Sequence, residues 1–421
     1  MKYSSPRGTR DILPEEAKIW QITEEKFANI CGLFNFQEIR TPVFESTDLF
    51  ARSIGTSTDI VAKEMYTFLD KKGRSLTLRP EATASVVRAA IENNLLNKDK
   101  ITKLYYIGPM FRYERPQAGR QRQFHQVGIE AFGSSDPMID VEAISLADQF
   151  FKALGLKNLE INVNSVGCPE CRPKYVEKLK QYFAENVKNM CEDCNKRFEF
   201  NPMRILDCKE PKCQSFIIKA PASIDSLCQE CRLNFEQVEL GLKAASIKYA
   251  INNRLVRGLD YYTRTTFEIV SKSLGAQNAV CGGGRYDKLV EELGGSPTPA
   301  VGFAIGLERL VEIMKAESGE RKAESSLKLF IATLGEPARK LGFEILQKAR
   351  EAGISADIDY LGKSLKSQMK EADKIGAQLV LILGEDEIKS GKAQLRNMKT
   401  TDQEEVTCDA QQIVAKLQQR I

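Results

Sequence analysis

Eight of the eleven cysteines in this sequence fall in pairs within one stretch of the chain. Two-residue spacing lets both thiolates of a pair reach one ion, and eight thiolates would complete two tetrahedral sites. The spacing therefore predicts structural zinc, the alternatives being one bound ion or ordinary buried thiols. Cys31, Cys281 and Cys408 stand alone and are interpreted as packing residues. The pairs are Cys168 with Cys171, Cys191 with Cys194, Cys208 with Cys213, and Cys228 with Cys231.

A second set of polar side chains lies on a predicted hairpin. Lys103–Arg115 and Phe124–Phe132 read as strands, and a polar loop containing Gly119 joins them. Side chains alternate across a strand, so one face of the hairpin collects a guanidinium, an amide and two carboxylates. The alternative is a solvent-exposed polar face, which is common on antiparallel sheets. The shared face comprises Arg112 and Glu114 on one strand and Gln126, Gly128 and Glu130 on the other.

The chain contains a single histidine, His125. A metal site built from several histidines is therefore excluded. A Ser-His-Asp triad would need His125 itself, and no Gly-x-Ser-x-Gly elbow accompanies it. Strand alternation puts His125 on the face opposite Gln126 and Glu130, which favours a structural role over general-base catalysis.

Two glycine-containing stretches follow the cysteines. Leu255–Val270 predicts a turn entering a strand, with Tyr261 and Tyr262 in the core. Residues 281–295 read CGGGRYDKLVEELGG, and this run lacks the Gly-Lys-Ser/Thr ending of a phosphate-binding P-loop. We interpret its glycines as a turn packed beside a pocket.

The elements that must position these residues separate into four segments and a linker. Residues 1–165 mix helical and strand periods, residues 166–250 form an inserted cysteine-rich module, and residues 251–315 return to strands and a helix. A polar stretch at 316–326 is predicted to be a linker. Residues 327–421 alternate strand and helix patterns, which indicates a separate small α/β domain.

Length and composition set broader bounds. A chain of 421 residues with 42% apolar residues predicts a globular protein of two or three domains. A net charge of +4 is too small to indicate nucleic-acid binding, so such contacts would need local basic patches. The N-terminus lacks the apolar core of a signal peptide, and no run approaches the ~18 apolar residues of a membrane span. We expect a cytoplasmic protein with reduced cysteines and no membrane contact.

Several of these stretches together resemble a known family. Phe-Arg112-x-Glu114 followed by Arg120-x-x-x-Phe124 resembles motif 2 of the class II aminoacyl-tRNA synthetases. Thr41-Pro42 within FQEIRTPVFES resembles motif 1, and GFAIGLERL, which contains Arg309, resembles motif 3. The peptide RGLDYY and residues 281–295 resemble two signatures of the histidyl-tRNA synthetases. Arg-Pro-Glu-x-Thr at residues 79–83 also matches that family, with Ala82 where glycine is frequent.

The resemblance implies a fold and a reaction. The fold is α/β with an α+β catalytic core: an antiparallel sheet flanked by helices, an inserted cysteine-rich helical module and a C-terminal α/β anticodon-binding domain. The reaction is ATP-dependent activation of L-histidine to histidyl-adenylate, with release of pyrophosphate, and transfer to the 3′ end of tRNA(His), with release of AMP. Mg²⁺ would accompany ATP, and motif 1 implies a homodimer.

The resemblance also assigns ATP-binding residues. Arg112 would bind the α-phosphate, Glu114 would meet the adenine amino group, and Phe124 would stack on the adenine. Arg120 and Arg309 would hold the far phosphates. These roles suit arginine, whose fork of donors binds phosphate in a bidentate manner and stays charged.

Histidine-binding residues are implied in the same way. Glu130 and Tyr262 would bind the two imidazole nitrogens, and Glu81, Thr83 and Gln126 would hold the α-amino group. A carboxylate and a phenol suit a ring with one donor and one acceptor. The implied catalytic residues are Arg112 and Arg257, which would contact the α-phosphate from opposite sides, Arg257 replacing a metal ion found in relatives. The full implied histidine site is Glu81, Ala82, Thr83, Arg112, Gln126, Glu130, Arg257, Tyr261 and Tyr262.

Two other interpretations explain less of the sequence. A non-catalytic relative that regulates ATP phosphoribosyltransferase would have degraded motifs and usually lacks the C-terminal domain, whereas Arg112, Arg257, Arg309 and residues 327–421 are all present. A zinc-ribbon nucleic-acid-binding protein would explain the cysteines alone. The enzyme is therefore the favoured prediction.

Overall fold

The computed structural model describes residues 3–55, 58, 60–97, 99–116, 119–271, 279–318 and 327–420. The chain divides into two compact units, Met1–Arg321 and Lys322–Ile421, which are considered separately. Of the predicted linker, Ala316–Ser318 end a helix and residues 319–326 lie outside the described residues.

The first unit combines helices with two sheets. Its helices are α1 (Pro14–Leu33), α2 (Thr47–Ile54), α3 (Thr83–Glu92), α4 (Pro137–Ala153), α5 (Arg172–Ala184), α6 (Glu192–Phe200), α7 (Pro211–Ile217), α8 (Gln229–Ala244), α9 (Leu289–Glu292) and α10 (Leu307–Ser318). Its strands are β1 (Gln37–Glu38), β2 (Phe44–Ser46), β3 (Tyr66–Leu69), β4 (Ser75–Leu78), β5 (Thr102–Phe111), β6 (Gln123–Phe132), β7 (Leu159–Ser165), β8 (Ala250–Ile251), β9 (Thr263–Ser271), β10 (Ala279–Arg285) and β11 (Ala300–Gly306). Short π or 3₁₀ segments cover Ile60–Glu64, Val187–Asn189, Pro202–Asp207 and Ser223–Ser226.

Helix signals in the sequence explain where two long helices begin. Pro14 occupies the first turn of α1, where a missing N–H is harmless, and Glu15 and Glu16 in the same turn complement the helix dipole. Asp136 caps α4 by accepting a hydrogen bond from the Met138 amide at 2.8 Å. The buried side of α1 includes Phe27 and Cys31, which repeat at helical spacing and pack on the core.

The large sheet of the first unit has the strand order β1-β5-β6-β11-β10-β9-β7-β8 within the described residues. Its interior pairs are antiparallel, and only the edge pairs β1–β5 and β7–β8 are parallel. The main apolar core includes residues of α1, α4, α8 and α10 together with the sheet. A second sheet, β2-β4-β3, stands apart from it. This antiparallel-dominated sheet with flanking helices confirms the predicted fold class.

Two local predictions were wrong. The first strand of the hairpin ends at Phe111, not Arg115. The backbone turns away there because the Tyr113 amide donates to Glu64 O at 2.7 Å and the Glu114 amide to Arg112 O at 2.9 Å. Arg112 and Glu114 therefore sit on a loop rather than on a strand face.

The glycine run at 282–284 is likewise not a turn but the middle of β10, paired on both sides. Glycine is required there by close approach. A Cβ on Gly283 would lie 2.4 Å from Gly302 O, and one on Gly284 would lie 2.5 Å from Thr265 O.

The second unit is a small α/β fold. Its strands are β12 (Leu329–Thr333), β13 (Ala356–Ile358), β14 (Leu379–Leu383), β15 (Lys392–Asn397) and β16 (Gln403–Thr407), in the order β13-β12-β14-β15-β16. Its helices are α11 (Glu336–Glu351), α12 (Leu365–Lys374), α13 (Glu385–Ser390) and α14 (Ala410–Gln418). The parallel strands β12 and β14 are almost wholly apolar and buried, as is expected where helices cover both faces. Among the helices described in the whole chain, none has the length and apolar character needed to cross a bilayer.

Candidate active site

One cavity of about 530 Å³ in the first unit gathers all but one of the residues predicted to bind histidine and ATP. Ala82 is the exception: it is 1% exposed and packs in an apolar cluster with Val86 and Tyr262 rather than facing the cavity. Residues distant in sequence thus meet around one space. The predicted residues that line it are Glu81, Thr83, Arg112, Glu114, Arg120, Phe124, Gln126, Glu130, Arg257, Tyr261, Tyr262 and Arg309.

Glu130 lies in the middle of β6 and is 1% exposed. Thr83 Oγ1 donates to its Oε1 at 2.6 Å, and the Tyr286 hydroxyl donates to Oε2. Burial raises the pKa of this carboxyl to about 8, although the two donors oppose the rise. Gly302 stands opposite on β11, where a Cβ would fall 1.9 Å from Oε2. The fold thus leaves room for this carboxylate and supplies two of its hydrogen bonds.

Glu81 is held by the start of α3. Its carboxylate accepts from the Thr83 amide at 2.6 Å and from the Ala84 amide at 2.9 Å. Both amides belong to the first turn of the helix, whose N–H groups have no partner within the helix. Burial raises the pKa of Glu81 as well. Glu81 is therefore positioned by backbone while it lines the cavity.

Arg257 is enclosed beside the glycines of β10. Its Nη1 donates to Glu268 Oε1 at 2.5 Å, whereas its buried Nε has no hydrogen-bond partner among the described residues. Burial alone would lower the pKa of Arg257, but Glu268, Tyr262 and Asp207 together outweigh burial and the pKa is raised. A Cβ on Gly282 would fall 1.6 Å from Nη2. A buried donor without a partner at the wall of a cavity is a group available to a ligand.

Gln126 provides a buried hydrogen-bond acceptor at the wall of the same cavity. Its Oε1 is also buried and unpartnered within the described chain, and the residue lines the same cavity. An ammonium group carries three donors and could supply the missing hydrogen bond.

Three tyrosines form one wall. The rings of Tyr261 and Tyr262 are 4.8 Å apart, and those of Tyr261 and Tyr286 are 5.6 Å apart. Burial raises the pKa of Tyr262 to about 12, so its hydroxyl remains a donor at neutral pH. The wall is apolar with polar tips, which suits a small aromatic ring.

The other part of the cavity is cationic. The Arg112 guanidinium lies 5.2 Å from the Phe124 ring centre, and its Nε donates to Pro80 O at 2.9 Å. Arg120 pairs with Glu114 at 3.1 Å. Burial and the nearby Arg120 charge lower the pKa of Arg309. Cations gathered in a partly enclosed space would attract a polyanion such as a triphosphate.

His125 does not belong to this cavity. Its Nδ1 lies 3.0 Å from Glu308 Oε1, and its ring packs edge-on against Trp20 with centres 5.0 Å apart. These contacts agree with the predicted structural role.

Eight cysteines form two separate clusters in the described chain, and each cluster combines two of the pairs seen in the sequence. Cys168, Cys171, Cys228 and Cys231 make the first, and Cys191, Cys194, Cys208 and Cys213 make the second. Five Sγ–Sγ distances are 3.7 to 3.9 Å, as between Cys191 and Cys208 at 3.7 Å, and all sulfurs of a cluster lie within 4.8 Å of one another. A disulfide needs about 2.05 Å, whereas four thiolates around zinc at about 2.3 Å lie roughly 3.8 Å apart. The geometry fits a tetrahedral thiophilic ion in each cluster.

Tyr286 and Glu268 are among the cavity residues that escaped the sequence interpretation. Tyr286 sits in the GGGRYD run, where the glycines drew attention instead. Glu268 is the only carboxylate in the described strand β9, whose other charged side chain is Arg264 near its start. A lone carboxylate in a strand rich in β-branched residues was the signal that could have revealed it.

Comparison with known proteins agrees with this geometry. The family model described as histidyl-tRNA synthetase matches residues 8–170 and 218–310, and that described as anticodon binding domain matches residues 328–420. A histidine–tRNA ligase of Desulfitobacterium hafniense is 51% identical over 406 residues, 96% of each chain. One from Halothermothrix orenii is 52% identical over 406 residues, 96% of this chain and 97% of the relative. The solved apo histidyl-tRNA synthetase of S. aureus superposes with a TM-score of 0.82 at 40% identity, covering 99% of each chain.

The antiparallel sheet and its arginine-lined cavity are those of a class II aminoacyl-tRNA synthetase. More narrowly, the chain belongs to the histidyl-tRNA synthetase family. The predicted family, fold class and enzyme class, a ligase that forms an aminoacyl-tRNA, are thereby confirmed.

Proposed function

We propose that this chain activates L-histidine with ATP in the cavity of the first unit and then loads it onto tRNA(His). A histidine carboxylate oxygen attacks the α-phosphorus of ATP, and pyrophosphate leaves with its electron pair. The 3′-terminal ribose hydroxyl of the tRNA then attacks the acyl carbon, and AMP leaves. The observation that carries the proposal is one cavity whose wall combines the buried carboxylates Glu81 and Glu130 with four arginines, Arg112, Arg120, Arg257 and Arg309.

The imidazole is assigned to Glu130 and Tyr262. Glu130 already accepts from Thr83 and Tyr286, and a carboxylate has about four lone-pair positions, so room remains for an imidazole N–H. The Tyr262 hydroxyl would pair with the second nitrogen. Since both groups are buried, an amino acid lacking matching polar atoms would leave them unpaired, which supports rejection by a factor of about 10⁴–10⁵ without editing.

The α-amino group is assigned to Glu81, Thr83 and Gln126. The unpartnered Gln126 Oε1 supports this, because an ammonium would satisfy it. Tyr261 contributes ring surface beside Tyr262. Ala82 immediately precedes α3 and helps to shape its first turn.

The reacting phosphate is assigned to Arg112 and Arg257. The charge that develops on its oxygens would be stabilised by guanidinium groups held in place before the reaction. The unpartnered Arg257 Nε supports a contact with an oxygen that ATP or histidine brings. Glu268 holds Arg257 through Nη1 and thereby leaves the Nε edge of the fork to the ligand.

The remaining ATP contacts follow the family pattern. Phe124 would carry the adenine, Glu114 its amino group, and Arg120 and Arg309 the far phosphates. Mg²⁺ would enter with those phosphates as part of the substrate. In the ligand-free chain Arg120 rests on Glu114, so ATP binding would exchange this ion pair for new partners.

The metal proposal is one Zn²⁺ in each thiolate cluster. Backbone amides already point at the sulfurs, for example the Cys191 amide at 3.2 Å from Cys213 Sγ and the Cys168 amide at 3.3 Å from Cys171 Sγ. Such donors favour the thiolate form that binds metal. Elemental analysis of protein prepared without chelators should find about two zinc ions per chain, and metal-free protein of normal stability would contradict the proposal.

Residues 166–250 would form the tRNA-embracing insert between the core segments 1–165 and 251–315, and residues 327–421 would read the anticodon beyond the linker 316–326. We further propose a cytoplasmic homodimer with the motif 1 region at its interface. Exposed apolar residues in and near that region, including Val43, Phe44 and Phe68, support an interface. Sedimentation should give about twice 47.2 kDa, and a fully active monomer would contradict it.

The decisive test of function is ATP–pyrophosphate exchange with each of the twenty amino acids. We expect exchange with histidine alone. Exchange with another amino acid, or none with histidine, would refute the substrate assignment.

A further inference from the structure

The segment that carries Arg257 has no secondary structure of its own. Residues 252–262 connect β8 to β9 and form neither helix nor strand. A segment without its own hydrogen-bond ladder depends on contacts from outside for its position. Arg257 must nevertheless be held precisely enough to meet a phosphate oxygen, so the groups that hold this segment matter for catalysis.

Two of those groups come from the cysteine-rich module. Arg204 Nη1 donates to Arg257 O at 3.1 Å, and Asn201 Nδ2 donates to Asp260 Oδ1 at 2.9 Å. Arg204 also lies close to Gly258, where a Cβ would fall 3.1 Å from Nη1. The module thus binds both ends of the stretch 257–260 directly.

The donors lie on the chain that the second thiolate cluster closes. Asn201 and Arg204 fall between Cys194 and Cys208, two ligands of one cluster. The intervening backbone is α6 followed by the 3₁₀ segment Pro202–Asp207, which ends at Cys208. A metal ion bound by this cluster would fix both ends of that chain and hence the reach of its two donors.

Packing links the same two regions. Val256, the residue before Arg257, is 7% exposed and belongs to the apolar cluster that contains Cys191, Cys194 and Cys208. Met203 packs both on that cluster and on the one that contains Tyr262 and Tyr286. Cys191 and Cys208 themselves line the cavity. The second cluster therefore forms part of the wall of the active site.

We propose that the second thiolate cluster is a metal-dependent positioning site for Arg257, acting through Arg204 and Asn201. With the ion bound, the module holds residues 256–260 and aims the guanidinium at the reacting phosphate. Without the ion, the segment loosens and histidine activation slows. This inference rests on the role proposed for Arg257, and the ion itself takes no part in the chemistry.

The experiment compares full-length variants by metal content, hydrogen exchange and activity. Arg204→Met removes the donor to Arg257 O while keeping every cysteine, and Cys213→Ser removes one ligand. Lys196→Met is the matched control, because Lys196 is an exposed cation on the same module, paired only with Glu192 in the ion pairs described. Elemental analysis should give two ions for wild type, Arg204→Met and Lys196→Met, and one for Cys213→Ser.

Amide exchange reports the position of the segment. Protection of residues 255–260 should fall in Arg204→Met and Cys213→Ser and remain at the wild-type level in Lys196→Met. The kcat of pyrophosphate exchange should fall about tenfold in Arg204→Met, the usual scale for losing a hydrogen bond from a charged donor. Arg204→Lys should restore most of the loss, since an ammonium can also donate to a carbonyl.

A positioning role is distinguished from general damage by histidinol, which lacks the carboxylate. Its affinity should be unchanged in Arg204→Met, because Arg257 is assigned to the carboxylate and phosphate only. Equal losses for histidinol and histidine, or normal kcat and protection in Arg204→Met, would overturn the proposal. So would wild-type protection in a Cys213→Ser protein that has lost its ion. If Cys213→Ser fails to fold, Arg204→Met still decides whether the module positions Arg257.

Two variants distinguish an error in the role proposed for Arg257 from an error in the proposal that the module positions it. If Arg257→Lys exchanges pyrophosphate normally, the role of Arg257 is wrong. If Arg257→Lys is inactive while Arg204→Met is normal, only the positioning inference is wrong.

Discussion

Buried polar side chains serve different ends in the two units of this chain. Gln368 on α12 of the second unit is fully buried and fully paired: it accepts from the Thr333 amide at 2.9 Å and donates to Thr333 O at 2.8 Å and to Lys363 O at 2.7 Å. In the cavity of the first unit, Arg257 Nε and Gln126 Oε1 are buried and unpaired within the described residues. Leaving such atoms unpaired is unfavourable by about 1–3 kcal/mol each.

Structural and functional groups among these buried polar side chains differ in what their hydrogen-bonding atoms face. Burial alone does not distinguish them, since Arg285 in the first unit is fully buried yet pairs with Asp140, Asp287 and backbone carbonyls. Lack of a partner alone does not distinguish them either, since Ser165 Oγ in the first unit and Arg396 Nε in the second are also buried and unpartnered within the described residues. What marks Arg257 Nε and Gln126 Oε1 is that their residues line the cavity, where a ligand can supply the missing hydrogen bond. Variants of the paired groups should therefore affect stability, and variants of these two cavity residues should affect activity.

The largest effect is expected for Arg285→Met. This change leaves Asp140, which is 1% exposed, as a buried charge without its partner at 2.6 Å. Breaking a buried pair in this way should lower the free energy of unfolding by about 3–5 kcal/mol. Denaturant unfolding measures it. Adding Asp140→Leu should recover part of the loss, and an unchanged unfolding midpoint in the single variant would contradict the structural role.

Arg257→Ala and Arg257→Lys should lower histidine-dependent pyrophosphate exchange by roughly 10²–10³-fold, the scale for losing one pre-placed donor to a developing anion. Lysine keeps the charge but loses the fork, so it should rescue poorly. The melting temperature should stay near that of the wild type. Transfer from preformed histidyl-adenylate to tRNA should suffer less, because that step builds no charge toward pyrophosphate. A destabilised alanine variant with an active lysine variant would instead make Arg257 a structural residue like Arg285.

Above about pH 8, where the Glu130 carboxylate is ionised, Glu130→Gln should weaken histidine binding by about 10–100-fold, as expected for losing a hydrogen bond to a charged group. ATP binding should survive, since Glu130 is not assigned to the nucleotide. Calorimetry with each ligand tests both statements. Equal losses for both ligands would mean that Glu130 is misassigned.

The same variant makes a prediction about pH. Burial raises the pKa of Glu130 from 4.5 to about 8. Between these values the folded chain keeps a proton that the unfolded chain releases, so stability present at low pH is lost as pH rises through about 8. Glutamine cannot ionise, so ligand-free Glu130→Gln should melt above the wild type, by a margin that grows from about pH 5 to pH 9. A margin independent of pH would contradict a buried, titrating Glu130.

The smallest effect is expected for Gln368→Leu. It leaves the Thr333 amide and carbonyl without their side-chain partner, which should destabilise the second unit by about 1–3 kcal/mol. Pyrophosphate exchange should be normal, because its residues all lie in the first unit. Differential scanning calorimetry measures the loss. Lower exchange in this variant would show that buried, paired groups of the second unit also serve activation.

The family, the fold class and most of the residues predicted to bind histidine and ATP follow from patterns in the sequence. Short-range patterns carried this information: the arginine–glutamate hairpin, the RGLDYY peptide and the alternating strands and helices of residues 327–421. Local signals such as Pro14 and Asp136 also marked helix starts. All of them rest on neighbours a few residues apart, where spacing fixes geometry.

Which groups distant in sequence meet depends on the tertiary fold. Spacing could pair Cys191 with Cys194 but could not say that Cys208 and Cys213, rather than Cys228 and Cys231, complete their cluster. The glycines of β10 looked like a turn because their neighbours in space, Arg257 and Gly302, are remote in sequence. The same holds for Tyr286 on Glu130 and for Arg204 on Arg257 O, separated by 156 and 53 residues. Such contacts depend on strand order and packing, and no local pattern encodes these because they form only when the whole chain has folded.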